Sequence, residues 1–199
     1  MIRYFEKQVN VIEAALSSID EAAFSQLVEA SVTTLASGNR IVITGLGKNV
    51  PICEKFVGSM VSMGLDALFM NTDSAMHGDM GCVRDGDLLI VLSKSGETEE
   101  SIRLVQELLH QGRDVDIWLL TYRRESTLSK LVSHCLAMNL AHEGDMWNVM
   151  PINSSAICLI VLQGLAVLVG ERLGVTLDQF GRNHPGGAIG EYLRNGEVR

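Results

Sequence analysis

Basic charge is scarce in this 199-residue chain: 16 lysines and arginines stand against 24 aspartates and glutamates, for a formal charge of −8. A nucleic-acid binder needs a basic face to displace counterions, so that class is excluded. Any anionic ligand has to be held by a local positive site against the field of the whole molecule. Paired cysteines are missing as well. Cys53, Cys82, Cys135 and Cys158 make no CxxC or CxxH spacing, which argues against a disulfide scaffold and a zinc site and leaves reduced, mostly buried thiols. The opening MIRYFEKQVN has no apolar stretch behind basic residues, so no signal peptide is expected. No apolar run reaches bilayer length: Ala156–Gly170 has a single polar residue but stops short of the ~20 residues a span requires. That run is expected to be a core helix buried on several sides, and the protein to be soluble and cytoplasmic, with no membrane partner. Linkers, internal repeats and low-complexity stretches are absent too. With 47% hydrophobic and 20% charged residues, the chain reads as one globular domain over residues 1–199.

What is present alternates between two periods. Phe5, Val9, Ile12, Leu16 and Ile19, then Phe24, Leu27, Val28, Ser31 and Leu35, recur every three or four residues, which predicts two helices within 2–37. Asp20 is placed to cap the second and Gly38 to stop it. From Arg40 the pattern shifts to short apolar runs without polar alternation: Arg40-IVITG, Ala67-LFM, Asp87-LLIVLS, Asp116-IWLLT and Cys135-LAMNL. Helical stretches at Asn49–Met63, Glu99–His110 and Ser126–Val132 separate them, and a long helix at Ile152–Leu173 and a terminal one near Ile189–Arg194 follow. Strands apolar on both sides, joined by helix-length connections, predict parallel pairing covered on both faces. The expected fold is therefore a three-layer α/β/α sandwich with a five-stranded parallel sheet: helices over 2–37, a sheet core over 40–140, and helices over 152–194.

In such sheets ligands bind at the carboxyl ends of strands, where helix N-termini present free N–H groups. Two strand ends carry suitable residues. After the first, Thr44-GLGKN fails as a P-loop, because Val42 stands where the first glycine is needed and Asn49 where Ser or Thr is needed. It fails as a dinucleotide fingerprint because Val50 stands at the third glycine. What remains is a tight turn at Gly47 that aims Lys48 at the cleft. After the third strand, Ser93, Ser95 and Thr98 set three hydroxyls around Gly96. N-capping needs one such residue, so three predict a neutral cradle for a phosphate, strengthened by the helix dipole. Of Glu97, Glu99 and Glu100, any that points into the cleft needs a job other than pairing with the dipole. Three loop histidines complete the set: His77 before Gly78-Asp79, His142 before Glu143, and His184 before Pro185-Gly-Gly. His77, Asp79, His142 and His184 lack the close ligand spacing of a metal site, so no metal or other cofactor is expected.

Taken together, G-x-G-K, H-G-D-x-G, S-x-S-G-E-x-x-E and H-P-G-G-A-x-G resemble the sugar isomerase (SIS) domain of arabinose 5-phosphate isomerases, over about Arg40–Leu193. The serine motif is general to SIS domains; His-Gly-Asp with His-Pro-Gly-Gly is more specific to this branch. The resemblance implies interconversion of D-ribulose 5-phosphate and D-arabinose 5-phosphate, feeding synthesis of the lipopolysaccharide or capsule sugar Kdo. It implies catalytic roles for Lys48, His77, Glu100, Glu143 and His184, and a phosphate loop of Ser93, Ser95 and Thr98. It also implies a homodimer or homotetramer in which His77 or His184 enters a neighbour's site. The strongly apolar Ala156–Gly170 agrees with such an assembly.

The sequence departs from this branch in four places. It is expected to be a form without the pair of CBS domains that is common in this branch. Asn71 stands where a histidine linked to zinc inhibition is frequent. Lys94 stands between the serines where a small or amide residue is usual, and MPINSS replaces a Pro-Thr-Ser-Ser run after Glu143.

The chemistry implied is an enediolate isomerisation. Lys48 stabilises the developing oxyanion, and Glu143 or Glu100 acts as base with a pKa raised by desolvation. His184 and His77 handle ring opening or hydroxyl protons. Isomerisation of a hexulose or heptulose phosphate, or sugar-phosphate sensing without turnover, are the readings that stay open.

Overall fold

The computed structural model describes residues 2–195, and among them five strands form one parallel sheet in the order β2-β1-β3-β4-β5. The strands are β1 (Ile41–Gly45), β2 (Ala67–Asn71), β3 (Leu88–Leu92), β4 (Asp116–Thr121) and β5 (His134–Ala137). Their residues divide by parity. Ile41, Ile43, Leu88, Ile90, Leu92, Trp118 and Leu120 pack into one core, and Val42, Leu89, Val91, Ile117 and Leu119 into another. A strand turns successive side chains to opposite faces, so an unbroken apolar run is what a sheet covered on both sides demands.

The first core is roofed by α1 (Ile2–Ser17), α2 (Glu21–Ala36), α3 (Val50–Ser62) and α7 (Asn153–Arg172). The second is roofed by α5 (Glu99–His110), α6 (Thr127–Leu131) and the short α4 (Thr72–Ala75). The three expected layers are all there. Asp20 caps α2 by accepting from Ala23 N at 3.0 Å, and Gly38 ends it at φ +80°.

Three details differ from the sequence expectation. A helix α8 (Leu177–Arg182) occupies what reads as a turn, opened by a capping box between Thr176 and Gln179. The terminal helix α9 (Gly187–Asn195) starts two residues earlier than expected. Single turns at Thr72–Ala75 and Asp79–Cys82 are too short to show a period. The long helix expected over Ile152–Leu173 is α7, whose 20 residues are long and apolar enough to cross a membrane by length and composition. Ten of those residues, including Ile157, Val161, Leu162, Leu165 and Val169, are nonetheless buried, packed against α1, α2, α3 and the sheet. Its exposed apolar residues are Leu159, Ile160, Val167 and Leu168.

Candidate active site

The strand order reverses between β1 and β3, whose carboxyl ends lie in register at Gly45 and Leu92. A crevice opens in such a sheet at that point, because the connections leaving the two strands run to opposite faces. The loop after β1 enters it through a 3₁₀ turn at Gly47–Asn49. Gly47 has φ +61° with nothing within 4 Å of where a Cβ would lie, so its requirement is conformational. Asn49 donates to the Leu92 carbonyl at 3.1 Å and ties this loop to the end of β3. Lys48 is left exposed at the mouth.

The loop after β3 is held tightly. Gly96 sits at φ +66°, where a Cβ would fall 2.2 Å from Ser126 Oγ, and its N–H donates to Ser93 Oγ at 3.1 Å. Ser93 and Thr98 hydroxyls meet at 2.9 Å, and Ser95 Oγ accepts from Glu97 N at 3.1 Å. Thr98 occupies the N-cap of α5 but its side chain makes no cap bond, so its hydroxyl serves the loop and not the helix. The three glutamates separate by partner. Glu97 accepts from Thr127 N at 2.9 Å; hydrogen bonding from Thr127 holds its carboxyl below the ordinary value. Glu99 pairs with Arg103. Glu100, exposed on the first turn of α5, has no ion pair among the described residues.

A cavity of about 190 Å³ lies in the crevice, lined by Leu46, Lys48, Asn49, Lys94, Tyr122, Pro151, Ser154 and Cys158. Glu143 backs it. The carboxylate is 1% exposed and takes four donors: the Lys94 ammonium, Ser154 Oγ at 2.6 Å, and the N–H groups of Ile152 and Ser154, each at 3.0 Å. Burial alone would raise its pKa, but Lys94 and Ser154, with the two N–H groups at the start of α7, outweigh it and hold the carboxyl below its ordinary value. The expected desolvation-raised base is thus corrected. Glu143 is a fixed anion that caps α7, with every lone-pair direction engaged. Tyr122 donates to the Ser154 carbonyl at 2.7 Å, its phenol pushed up by burial and kept protonated. Burial likewise pushes the Cys158 thiol up to about 11, so it is no thiolate at neutral pH.

Between Glu143 and Pro151 the chain forms a tight loop organised by Asp145, which accepts from Trp147, Val149 and Met150 N–H groups at 2.8–3.0 Å. Met146, Trp147, Val149 and Met150 are all exposed there, beside the cavity. Asn148 (φ +57°) closes the loop by accepting from Glu143 N at 2.7 Å.

Two histidines stand apart. His77 is exposed in the turn after α4, on the rim formed by the carboxyl end of β2, and does not line the cavity. His184 lies at the opposite end of the molecule. It stacks on Phe180 with ring centroids 4.0 Å apart, its Nδ1 2.8 Å from the Phe180 carbonyl. Beside it, Asn183 reaches Ser62 O at 3.2 Å, where α3 leads into the start of β2. The cavity is lined by the first turns of α7, Ser154 to Cys158, and between it and α8 runs the rest of that helix, about 20 Å at 1.5 Å per residue. Within one chain His184 does not meet Lys48. It lines a separate cavity of about 450 Å³ between α8 and α9, with Asp178, Arg182 and Arg194. Lys48 therefore shares the cavity with Lys94, through which Glu143 joins it; Ser93, Ser95 and Thr98 flank Lys94 in the loop without lining the cavity, Glu100 and His77 are exposed outside it, and His184 does not join. Tyr122 carries no motif, Asn49 and Ser154 lie in the Thr44-GLGKN and MPINSS runs without a role that the sequence assigns them, and Lys94 announces itself only as a charge inside the serine loop. Among the described residues no three His, Cys, Asp or Glu side chains gather as a metal would require.

A parallel sheet with Lys48 and Lys94 lining a cavity at its switch point defines an α/β domain of the open, doubly wound kind. The chain belongs to the SIS domain family, whose model matches residues 34–168. It is 29% identical over 188 residues to arabinose 5-phosphate isomerase KdsD of Pseudomonas aeruginosa, covering 94% of this chain and 57% of that protein. It is 31% identical over 153 residues to arabinose 5-phosphate isomerase KpsF of Escherichia coli, covering 77% of this chain and 48% of that protein. The chain thus spans about half the length of these relatives. Among solved structures, a protein of E. coli CFT073 in complex with arabinose 5-phosphate superposes with a TM-score of 0.83 at 25% identity, covering 92% of this chain and 94% of that one.

Proposed function

We propose that this protein isomerises a five-carbon sugar phosphate, interconverting D-arabinose 5-phosphate and D-ribulose 5-phosphate in the supply of a lipopolysaccharide or capsule sugar. The observation that carries the reading is the 190 Å³ cavity holding Lys48 and Lys94 beside the Ser93–Thr98 loop, in a chain of net charge −8. A positive pocket against that field suits a small phosphomonoester. The relatives named for the same reaction support it.

In this reading the phosphoryl group rests on Ser93, Ser95, Thr98 and the first turn of α5, where N–H groups and the helix dipole favour an anion. Glu100 takes the proton from C2 of the aldose and returns it to C1, while a proton passes from the C2 hydroxyl to the C1 oxygen; atoms and charge balance without a co-reactant. Lys48 stabilises the negative oxygen of the enediolate between these steps. Glu143 acts as a fixed anion that orients Ser154 and Lys94 at the cavity wall. His184, beyond the far end of α7, serves the site of a second copy, and His77 lies on the rim where such a copy approaches. The apolar residues left exposed on α7, with Ile2, Phe5 and Val9 on α1, suit a homodimer or homotetramer.

The test is ketose formation from D-arabinose 5-phosphate alongside hexose and heptose phosphates. The expected result is turnover highest with the five-carbon substrate. Faster turnover of a hexulose or heptulose phosphate overturns the substrate assignment, and binding without turnover on the whole panel overturns the enzyme assignment.

A further inference from the structure

The cavity holds an ammonium that the proton transfers leave unused. The Lys94 carbonyl accepts from Tyr122 N at 3.1 Å and from Thr121 Oγ1 at 3.2 Å, so the backbone of this residue is tied down. Its ammonium reaches Glu143. That carboxylate already has three donors fixed by the start of α7: Ser154 Oγ, Ser154 N–H and Ile152 N–H. Three donors and a helix N-terminus keep a buried carboxylate satisfied when a fourth leaves. The two members of the pair also differ in access, for the Lys94 side chain is 42% exposed and that of Glu143 1%. One partner is anchored; the other sits on a flexible stem with a route to solvent. With Lys48, Lys94 and Glu143 charged, the cavity carries a net positive charge. Without the charge of Lys94 it carries none.

We propose that Lys94 is a second substrate-binding cation, whose ammonium turns from Glu143 to the phosphoryl group of the bound sugar phosphate. This rests on the phosphosugar reading given above. The phosphoryl group is the only charge such a sugar carries before reaction, so Lys94 acts on binding and not on proton transfer.

The test is calorimetric titration of the wild type, Lys94→Arg and Lys94→Gln with inorganic phosphate and with D-arabinitol 5-phosphate. The latter lacks the carbonyl and cannot be isomerised. Lys94→Gln is expected to weaken both about tenfold, the size of one lost charge-assisted hydrogen bond. Lys94→Arg is expected to stay within about threefold of the wild type, because the charge is kept. In turnover, KM rises with the dissociation constant while kcat moves little, a split that a merely structural role does not produce. Binding of both ligands by Lys94→Gln within twofold of the wild type, or a fall in kcat at unchanged KM, overturns the proposal. If Lys94→Gln does not fold, the side-chain ¹⁵N resonance of Lys94 in the wild type, assigned by its loss in Lys94→Arg, decides. It is expected to shift when D-arabinitol 5-phosphate is added, and an unmoved resonance at saturation overturns the proposal. A wild type that binds through Lys94 yet isomerises nothing sinks the enzyme reading alone. An active wild type with Lys94→Gln unaffected sinks this inference alone.

Discussion

Each side chain at the site makes a different demand. Lys48 is exposed and forms no ion pair among the described residues, so its removal leaves no buried charge behind. Lys48→Ala is expected to keep its melting temperature and to lose at least about a hundredfold in turnover, the usual cost of deleting one oxyanion donor; near-normal turnover takes Lys48 out of the mechanism. Glu143 couples the site to folding. Its folded-state pKa lies below the ordinary 4.5, so its stabilisation is full above the unfolded-state value and is lost as pH falls through the folded one. Glu143→Gln should lower stability at pH 7 by about 2 kcal/mol, through lost charge-assisted hydrogen bonds, and flatten the acid limb of the stability curve. Thermal melts between pH 3 and 7 measure both. Gly96→Ala combines a φ of +66° with a Cβ 2.2 Å from Ser126 Oγ. It should cost at least about 1–2 kcal/mol and weaken phosphate binding, since the loop cannot close; calorimetry on the folded fraction checks this.

At the scale of elements, the chain announces what is periodic and conceals what is brief. The unbroken runs at Ile41–Gly45 and Leu88–Leu92 reveal buried parallel strands because both faces of the sheet are roofed. Asp20 was legible as a cap because a short acceptor before a helical period has few other uses. Asp20→Ala should cost about 1 kcal/mol and Asp20→Asn far less, as chemical denaturation would show. The turns at Thr72–Ala75 and Asp79–Cys82 were not legible, being shorter than the period that would reveal them. The Gly47–Lys48 turn and the hydroxyl loop could be located because a strand end, a glycine and a helix start coincide there. The partnership of Lys94 with Glu143 could not, since 49 residues separate them and they meet only across the folded sheet edge. For the same reason the sign of the Glu143 shift escaped the sequence: burial is foreseeable from a strand end, but four convergent donors are not.

For the molecule as a whole, the length of α7 is decisive, because it holds the cavity and His184 at opposite ends. If a second copy supplies His184, co-expressed Lys48→Ala and His184→Ala chains should regain activity that neither has alone, since mixed assemblies contain some intact sites. Failure of the mixture to recover removes His184 from the reaction. The chain also comes with a built-in optical reporter. Of its two tryptophans, Trp118 is 2% exposed in the core, whereas Trp147 is 67% exposed on the Asp145 loop beside the cavity. Emission from Trp147 therefore carries the environment of the entrance against a constant blue-shifted background from Trp118. Quenching by iodide before and after adding a sugar phosphate would follow occupancy directly, with no coupling enzyme in the cuvette.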